Sequence, residues 1–173
     1  MLHTAGGPYR EGVSFSVPEL SGSPAERYAD LAQFARALVD GEHDRIANAA
    51  NLSALVKATV PDLNWVGFYF HDGTELVVGP FQGLPACIRI PLDRGVCGAA
   101  ARTRRTQRVD DVHAVADHIA CDGATNSELV VPLVSADGEL IGVFDLDSEK
   151  TARFTDDDQR GLEAIAAVFV DSL

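Results

Sequence analysis

Two blocks of this chain read as β-hairpins, and they constrain its fold more than any other feature. Residues 64–70, Asn-Trp-Val-Gly-Phe-Tyr-Phe, form an aromatic and β-branched run, Asp72-Gly73 is a hairpin turn, and residues 75–81 return as the next strand. Residues 128–135, the turn Asp137-Gly138 and residues 139–147 repeat the arrangement. Hairpins join antiparallel strands, and an antiparallel sheet with one apolar face needs helices to cover it.

The helices can be placed. Ser23-Pro24-Ala25-Glu26 is a helix start, with Tyr28, Leu31, Phe34, Ala35 and Leu38 at helical spacing after it. A second helix is expected from about residue 44 to 59, with Ile46, Ala49, Ala50, Leu52, Leu55 and Val56 apolar, closed by Pro61. Thr155-Asp156-Asp157-Asp158 caps a last helix, whose buried stripe is Leu162, Ile165, Ala166 and Phe169. Between the hairpins, residues 87–91 read as a short strand and residues 95–101 as a tight turn into a short helix. The arginine-rich residues 102–108 read as a solvated face, and residues 110–126 as a long functional loop. The fold class is therefore α+β. Residues 1–23, rich in Gly, Pro and Ser, are expected to be a flexible leader, with one domain over 24–173.

Bulk properties exclude several partners. At 173 residues with 46% hydrophobic residues the chain suits one well-cored domain. A net charge of −12 disfavours nucleic acid and anionic membranes, which need a basic face. No apolar run approaches the roughly 20 residues that span a bilayer. No basic stretch followed by an apolar core opens the chain, so a cytoplasmic setting is expected, where thiols stay reduced unless they work.

The candidate chemistry centres on the loop that carries Cys121, between Ile119 and Glu128, with Cys87 and Cys97 upstream and Asp145 and Asp147 downstream. Strand alternation puts Ile141, Val143, Asp145 and Asp147 on one face of their strand, and Trp65, Gly67 and Tyr69 on one face of another. Gly67 leaves a gap between the two aromatics. Each of these has a plainer reading: buried small thiols, core aromatics, solvated acids. A zinc site from three cysteines with His113 or His118 lacks the usual close cysteine pairing, so no metal is expected. His113 and His118 read as hydrogen-bonding loop residues, and Asp122 has no assigned role.

Residues 64–70, Gly79-Pro80-Phe81-Gln82-Gly83, Arg94-Gly95-Val96-Cys97-Gly98, His118-Ile119-Ala120-Cys121-Asp122, Asn126-Ser127-Glu128 and Asp145-Leu146-Asp147-Ser148 together resemble the free methionine-(R)-sulfoxide reductases, enzymes on the GAF fold. The resemblance spans about residues 25–173. It implies a six-stranded antiparallel sheet with helices on one face and the ligand pocket on the other. It implies a homodimer that reduces the free amino acid, binds no cofactor, and is recycled by thioredoxin at the expense of NADPH. By motif, Cys121 resembles the catalytic thiol and Cys87 the resolving one, with Cys97 able to join disulfide exchange. Glu128, Asp145 and Asp147 resemble the substrate-binding acids, and Trp65 and Tyr69 the wall around the substrate's methyl group.

The residue types suit that chemistry. A thiolate attacks the sulfoxide sulfur, the oxygen must be protonated, and the resulting sulfenic acid condenses with a second thiol. Clustered carboxylates cannot all ionise cheaply, so one of them is left as an acid. The alternatives are a GAF module that binds a small ligand and signals, disfavoured by the absence of an output domain after the last helix, and a thiol redox sensor without turnover. The surrounding acids also oppose a thiolate. We therefore expect no strong activation of Cys121 before substrate binds: its pKa in the reduced, substrate-free protein, measured by alkylation rate against pH, should not lie well below a free cysteine's, about 8.5.

Overall fold

Six strands and four α-helices form in a computed structural model whose described residues are 17–115 and 123–173, one strand more than the residue pattern gives. The elements are α1 (Pro24–Val39), α2 (Arg45–Thr59), β1 (Trp65–His71), β2 (Glu75–Gln82), β3 (Arg89–Pro91), α3 (Gly95–Thr103), β4 (Gln107–Val109), β5 (Ser127–Val134), β6 (Leu140–Ser148) and α4 (Asp156–Asp171). The strands form one antiparallel sheet in the order β3-β2-β1-β6-β5-β4. This is the GAF-like α+β architecture expected.

Local chemistry explains the boundaries. Ser23 and Glu26 close a capping box at α1, and Thr155 and Asp158 close one at α4. The side chain of Asp44 accepts from the N–H groups of Ile46 and Ala47 at α2. In the β1–β2 turn Asp72 accepts from the N–H groups of Thr74 and Glu75, and Gly73 takes φ 102°, a conformation that favours glycine.

The sheet has two covered faces. On one, Val66, Phe68, Phe70, Leu129, Val131, Leu133, Phe144 and Leu146 share one core with α2 and α4, and α1 adds to that core by packing on those two helices. Phe68 lies at its centre, its ring 4.7 Å from Phe144 and 4.6 Å from Phe169. The other face carries α3, packed with Trp65, Tyr69, Val130 and Val143. Three helices thus share a face, and the fourth crosses the side expected to hold the pocket.

Several local expectations change. Phe34 and Ile46, at helical spacing with buried residues, are about half exposed (47% and 50%), because α1 turns Leu31, Ala32, Ala35 and Val39 towards the core it shares with α4 and α2, and α2 turns Ala49, Leu52 and Val56 towards the sheet. Cys87 precedes β3 instead of lying in it. The β2–β3 ladder stops at the Val78 N–H bond to Ile88, since β2 next presents Gly79 and then Pro80, which has no N–H to donate. The arginine-rich stretch contains β4, although Arg108 stays exposed. Ile141 leaves the face of Val143: Leu133 pairs with Gly142 and Val134 with Leu140, so Ile141 is the extra residue of a β-bulge and packs towards the three-helix side. Leu20, inside the stretch expected as a leader, packs against the same core, while residues 1–16 lie outside the described residues. No helix among the described residues is long and apolar enough to cross a membrane.

Gly142 lies where β6 crosses β1, and a Cβ there would overlap the carbonyl oxygen of Tyr69. Gly142→Ala should destabilise the fold by about 2–3 kcal/mol, read from the midpoint of urea unfolding.

Candidate active site

The site is assembled by the register of three central strands. β1 pairs with β6 so that Trp65 lies opposite Asp147, Gly67 opposite Asp145 and Tyr69 opposite Val143. β5 pairs with β6 so that Glu128 lies opposite Asp147 and Val130 opposite Asp145. Directly paired residues point to the same side of a sheet. The aromatics and the acids, read from sequence as two separate faces, therefore form one. Alternation along a strand gives each strand's own faces, but not which face of one meets which face of another.

Gly67 does not leave open space. The Trp65 ring leans across it, stacked on Tyr69 at 5.7 Å and on Phe81 at 5.2 Å. A Cβ at Gly67 would overlap Phe81 and press on the Trp65 ring. Phe81 was not anticipated as part of this wall; its pairing opposite Gly67 explains its place. The indole N–H of Trp65 donates to the carbonyl of Leu84 at 3.2 Å, which fixes the ring against the loop before β3. Trp65 and Tyr69 are both essentially buried.

Helix α3 lowers Cys97 onto this face. Gly98 lets the helix approach the chain at Pro91 and Leu92, where a Cβ would press on their carbonyl oxygens. The Cys97 thiol donates to Glu128 Oε1 at 3.8 Å. Ligand atoms of Cys97, Glu128 and Asp145 all lie within 4.8 Å of one another, and all three residues are buried. Burial holds the Asp145 carboxyl well above the usual carboxylate range, and the charge of Glu128 adds to this. Burial likewise pushes the Cys97 thiol up, reinforced by Asp145, Glu128 and Asp147. Burial and then Asp145 raise the Tyr69 phenol. One buried oxygen of Asp145 has no hydrogen-bond partner among the described residues, an acceptor that a donor-bearing ligand would satisfy. The three ligand atoms are near enough to hold a cation, but metal binding requires thiolate and carboxylate forms, and burial favours the neutral forms of Cys97 and Asp145.

Cys87 sits at the rim, half-buried, packed against the same cluster and disulfide-bonded. Cys97 is a free thiol. Cys121, His118 and Asp122 lie outside the described residues. The chain on either side of that segment is clamped to the sheet. The Val112 N–H donates to Asn126 O, the Asn126 N–H to Ser148 O, and Asn64 Nδ2 to Thr125 Oγ1. His113 Nε2 bonds Asn126 Oδ1 at 2.9 Å, and Asn126 Nδ2 donates to Glu149 O, so Oδ1 is the acceptor and His113 carries the proton. His113 is thus a hydrogen-bonding loop residue, as expected from sequence. Its partner Asn126 went unassigned, since the two residues are distant in sequence.

Residues 43–171 match the GAF domain family. The chain is 50% identical to the free methionine-R-sulfoxide reductase of Escherichia coli over 82% of its own length and 86% of that protein's. It belongs to the free methionine-R-sulfoxide reductase family. A structure of the family's Neisseria meningitidis member, solved in complex with its substrate, aligns with a TM-score of 0.83 at 42% identity, covering 89% of this chain and 93% of that one. A Burkholderia vietnamiensis protein regarded as a GAF sensor aligns with a TM-score of 0.84 at 65% identity, covering 87% and 95%.

The raised Asp145 pKa has a consequence for stability. An unfolded aspartate loses its proton near about 3.9. The folded carboxyl keeps its proton to higher pH, so across the interval between the two values the folded state binds more protons and unfolding free energy falls as pH rises. Asp145→Asn should remove this slope, which approaches about 1.4 kcal/mol per pH unit inside the interval. Urea unfolding of both proteins between about pH 4.5 and 7 tests it; parallel curves would refute a neutral Asp145.

Proposed function

We propose that this protein reduces free L-methionine-(R)-sulfoxide to L-methionine, with Cys121 as the attacking thiol. The observation that carries the reading is the meeting of Glu128, Asp145 and Asp147 with Trp65 and Tyr69 on one sheet face, in a member of this family. A free amino acid presents an ammonium, a carboxylate and, here, a polar S=O beside a methyl group. Ionised acids suit the ammonium, and an aromatic wall suits the methyl. A carboxyl held neutral suits the oxygen, because it has a proton to give.

The cycle follows from thiol chemistry. The Cys121 thiolate attacks the sulfoxide sulfur while a site acid protonates the oxygen. The oxygen passes to the cysteine, giving methionine and a Cys121 sulfenic acid. The Cys87 thiol condenses with it, releasing water and forming a disulfide. A dithiol such as thioredoxin then reduces that bond, accepting the disulfide in exchange. The disulfide-bonded state of Cys87 supports its resolving role. Cys97, buried and directed at Glu128, is placed to hold the acid cluster; exchange with the disulfide is its second proposed role. Action as a homodimer in the cytoplasm belongs to the same reading. The kinship to a sensor favours one rival, in which the same face binds its ligand without turnover.

Turnover decides between them. With thioredoxin, its reductase and NADPH, the R epimer of free methionine sulfoxide should be reduced with one NADPH consumed per methionine, and the S epimer should not. Cys121→Ser should lower kcat by more than about 10³-fold. Cys87→Ser should still release one methionine per site but fail to recycle with thioredoxin. A wild-type protein that binds the substrate and reduces none of it would establish the sensor.

A further inference from the structure

The loop around Cys87 has a property that the reaction at the pocket does not require. Leu84 and Ile88 flank it and are 64% and 70% exposed, the two highest values among the exposed large hydrophobic residues described. Their backbones are nonetheless held. The Leu84 carbonyl accepts from the Trp65 indole at 3.2 Å, and the Ile88 carbonyl accepts from the Val78 N–H at 3.0 Å. Two large aliphatic side chains are thus presented to solvent from fixed positions on both sides of a disulfide-bonded sulfur.

Charge makes this rim distinct. Residues 83–88, Gly-Leu-Pro-Ala-Cys-Ile, carry no charged side chain in a chain of net charge −12. The next residue, Arg89, is occupied by Asp72 at 2.9 Å and Glu75 at 2.7 Å. An approaching protein meets no charge of its own sign on these residues, and the apolar flanks offer area to bury with little ordering cost.

We propose that Leu84 and Ile88 form the docking rim for a protein dithiol that reopens the Cys87 disulfide; the proposal rests on the reduction cycle above. The occupant is set by the disulfide. Opening it requires an external thiolate in line with the S–S bond, and a small thiol would need no apolar flanks. The partner's thiolate attacks Cys87 Sγ and the S–S bond breaks. Its electron pair leaves on the other cysteine sulfur, Cys121 in the proposed cycle, which takes up a proton. The partner's second thiol then attacks its own sulfur in the mixed disulfide, releasing Cys87 as a thiol. The partner is oxidised by two electrons and this chain reduced by two.

The test compares a protein reductant with a small one on the full chain. Ile88→Ser, alone and combined with Leu84→Ser, is assayed with thioredoxin and with dithiothreitol, alongside Phe34→Ser on the far side of the sheet. The double variant should raise KM for thioredoxin about tenfold, the single variant less, while dithiothreitol-driven turnover stays within about twofold. Phe34→Ser should change neither, and Ile88→Leu should restore the thioredoxin KM. A thioredoxin lacking its second cysteine should be trapped on Cys87 by peptide mapping. An unchanged KM, an equal loss with both reductants, or trapping on Cys121 overturns the proposal. So does a change in sedimentation mass of the double variant, which would show the rim to lie between copies of this chain. Turnover by the wild type with dithiothreitol and none with thioredoxin also overturns it while leaving the reductase reading intact. No turnover with either reductant refutes the reductase reading itself.

Discussion

The pairing of β1 with β6 at the middle of the sheet is the contact on which the rest of this molecule depends. It sets Trp65 opposite Asp147 and Gly67 opposite Asp145 on one face, and Phe68 opposite Phe144 on the other. A slip of one residue would exchange the faces, burying carboxylates under α1, α2 and α4 and turning the phenylalanines towards α3. Packing on the three-helix side resists that slip, through the stacking of Phe68 on Phe144 and its tilted contact with Phe169. Gly142 resists it too, since the crossing of the two strands has no room for a side chain there. The register that builds the hydrophobic core is the register that builds the site.

Burying acids beside a thiol has an electrostatic consequence. Asp145 and Cys97 are taken out of water next to Glu128, and both are driven towards their neutral forms. Neutral groups destabilise a folded interior less than unpaired charges do, and a neutral carboxyl can donate a proton. The same arrangement withholds easy ionisation from the buried thiol, which separates the cysteines by environment. Cys97 lies under α3 among acids, whereas Cys87 lies at the rim, in a loop without strand pairing. The indole of Trp65 joins the two regions, its ring lying on the face that carries the acids and its N–H holding the rim loop through Leu84.

Much of the fold was legible in the chain. The turns Asp72-Gly73 and Asp137-Gly138, the caps Ser23 and Thr155, and the α4 stripe of Leu162, Ile165, Ala166 and Phe169 are local signals whose causes lie within a few residues. Errors came where a distant partner decides. Phe34 and Ile46 satisfy helical periodicity and are exposed, because the surface against which a helix packs selects its buried stripe. Ile141 satisfies strand alternation and leaves it at a bulge. The strand at residues 107–109 is too short to announce itself, and exists through pairing with Glu128, Leu129 and Val130.

By itself, the sequence determined the antiparallel hairpins, their covering helices, the acidic balance, and a set of thiols, acids and aromatics whose motifs place the chain in its family. Those are properties of residue types at short spacings. Tertiary structure alone decided that the acids and aromatics share one face, that Cys97 meets Glu128 and Asp145, and that Cys87 stands between two exposed aliphatic residues. The physical reason is that strand register and helix placement are settled by packing between residues far apart in the chain, and alternation within a strand carries no information about its neighbour.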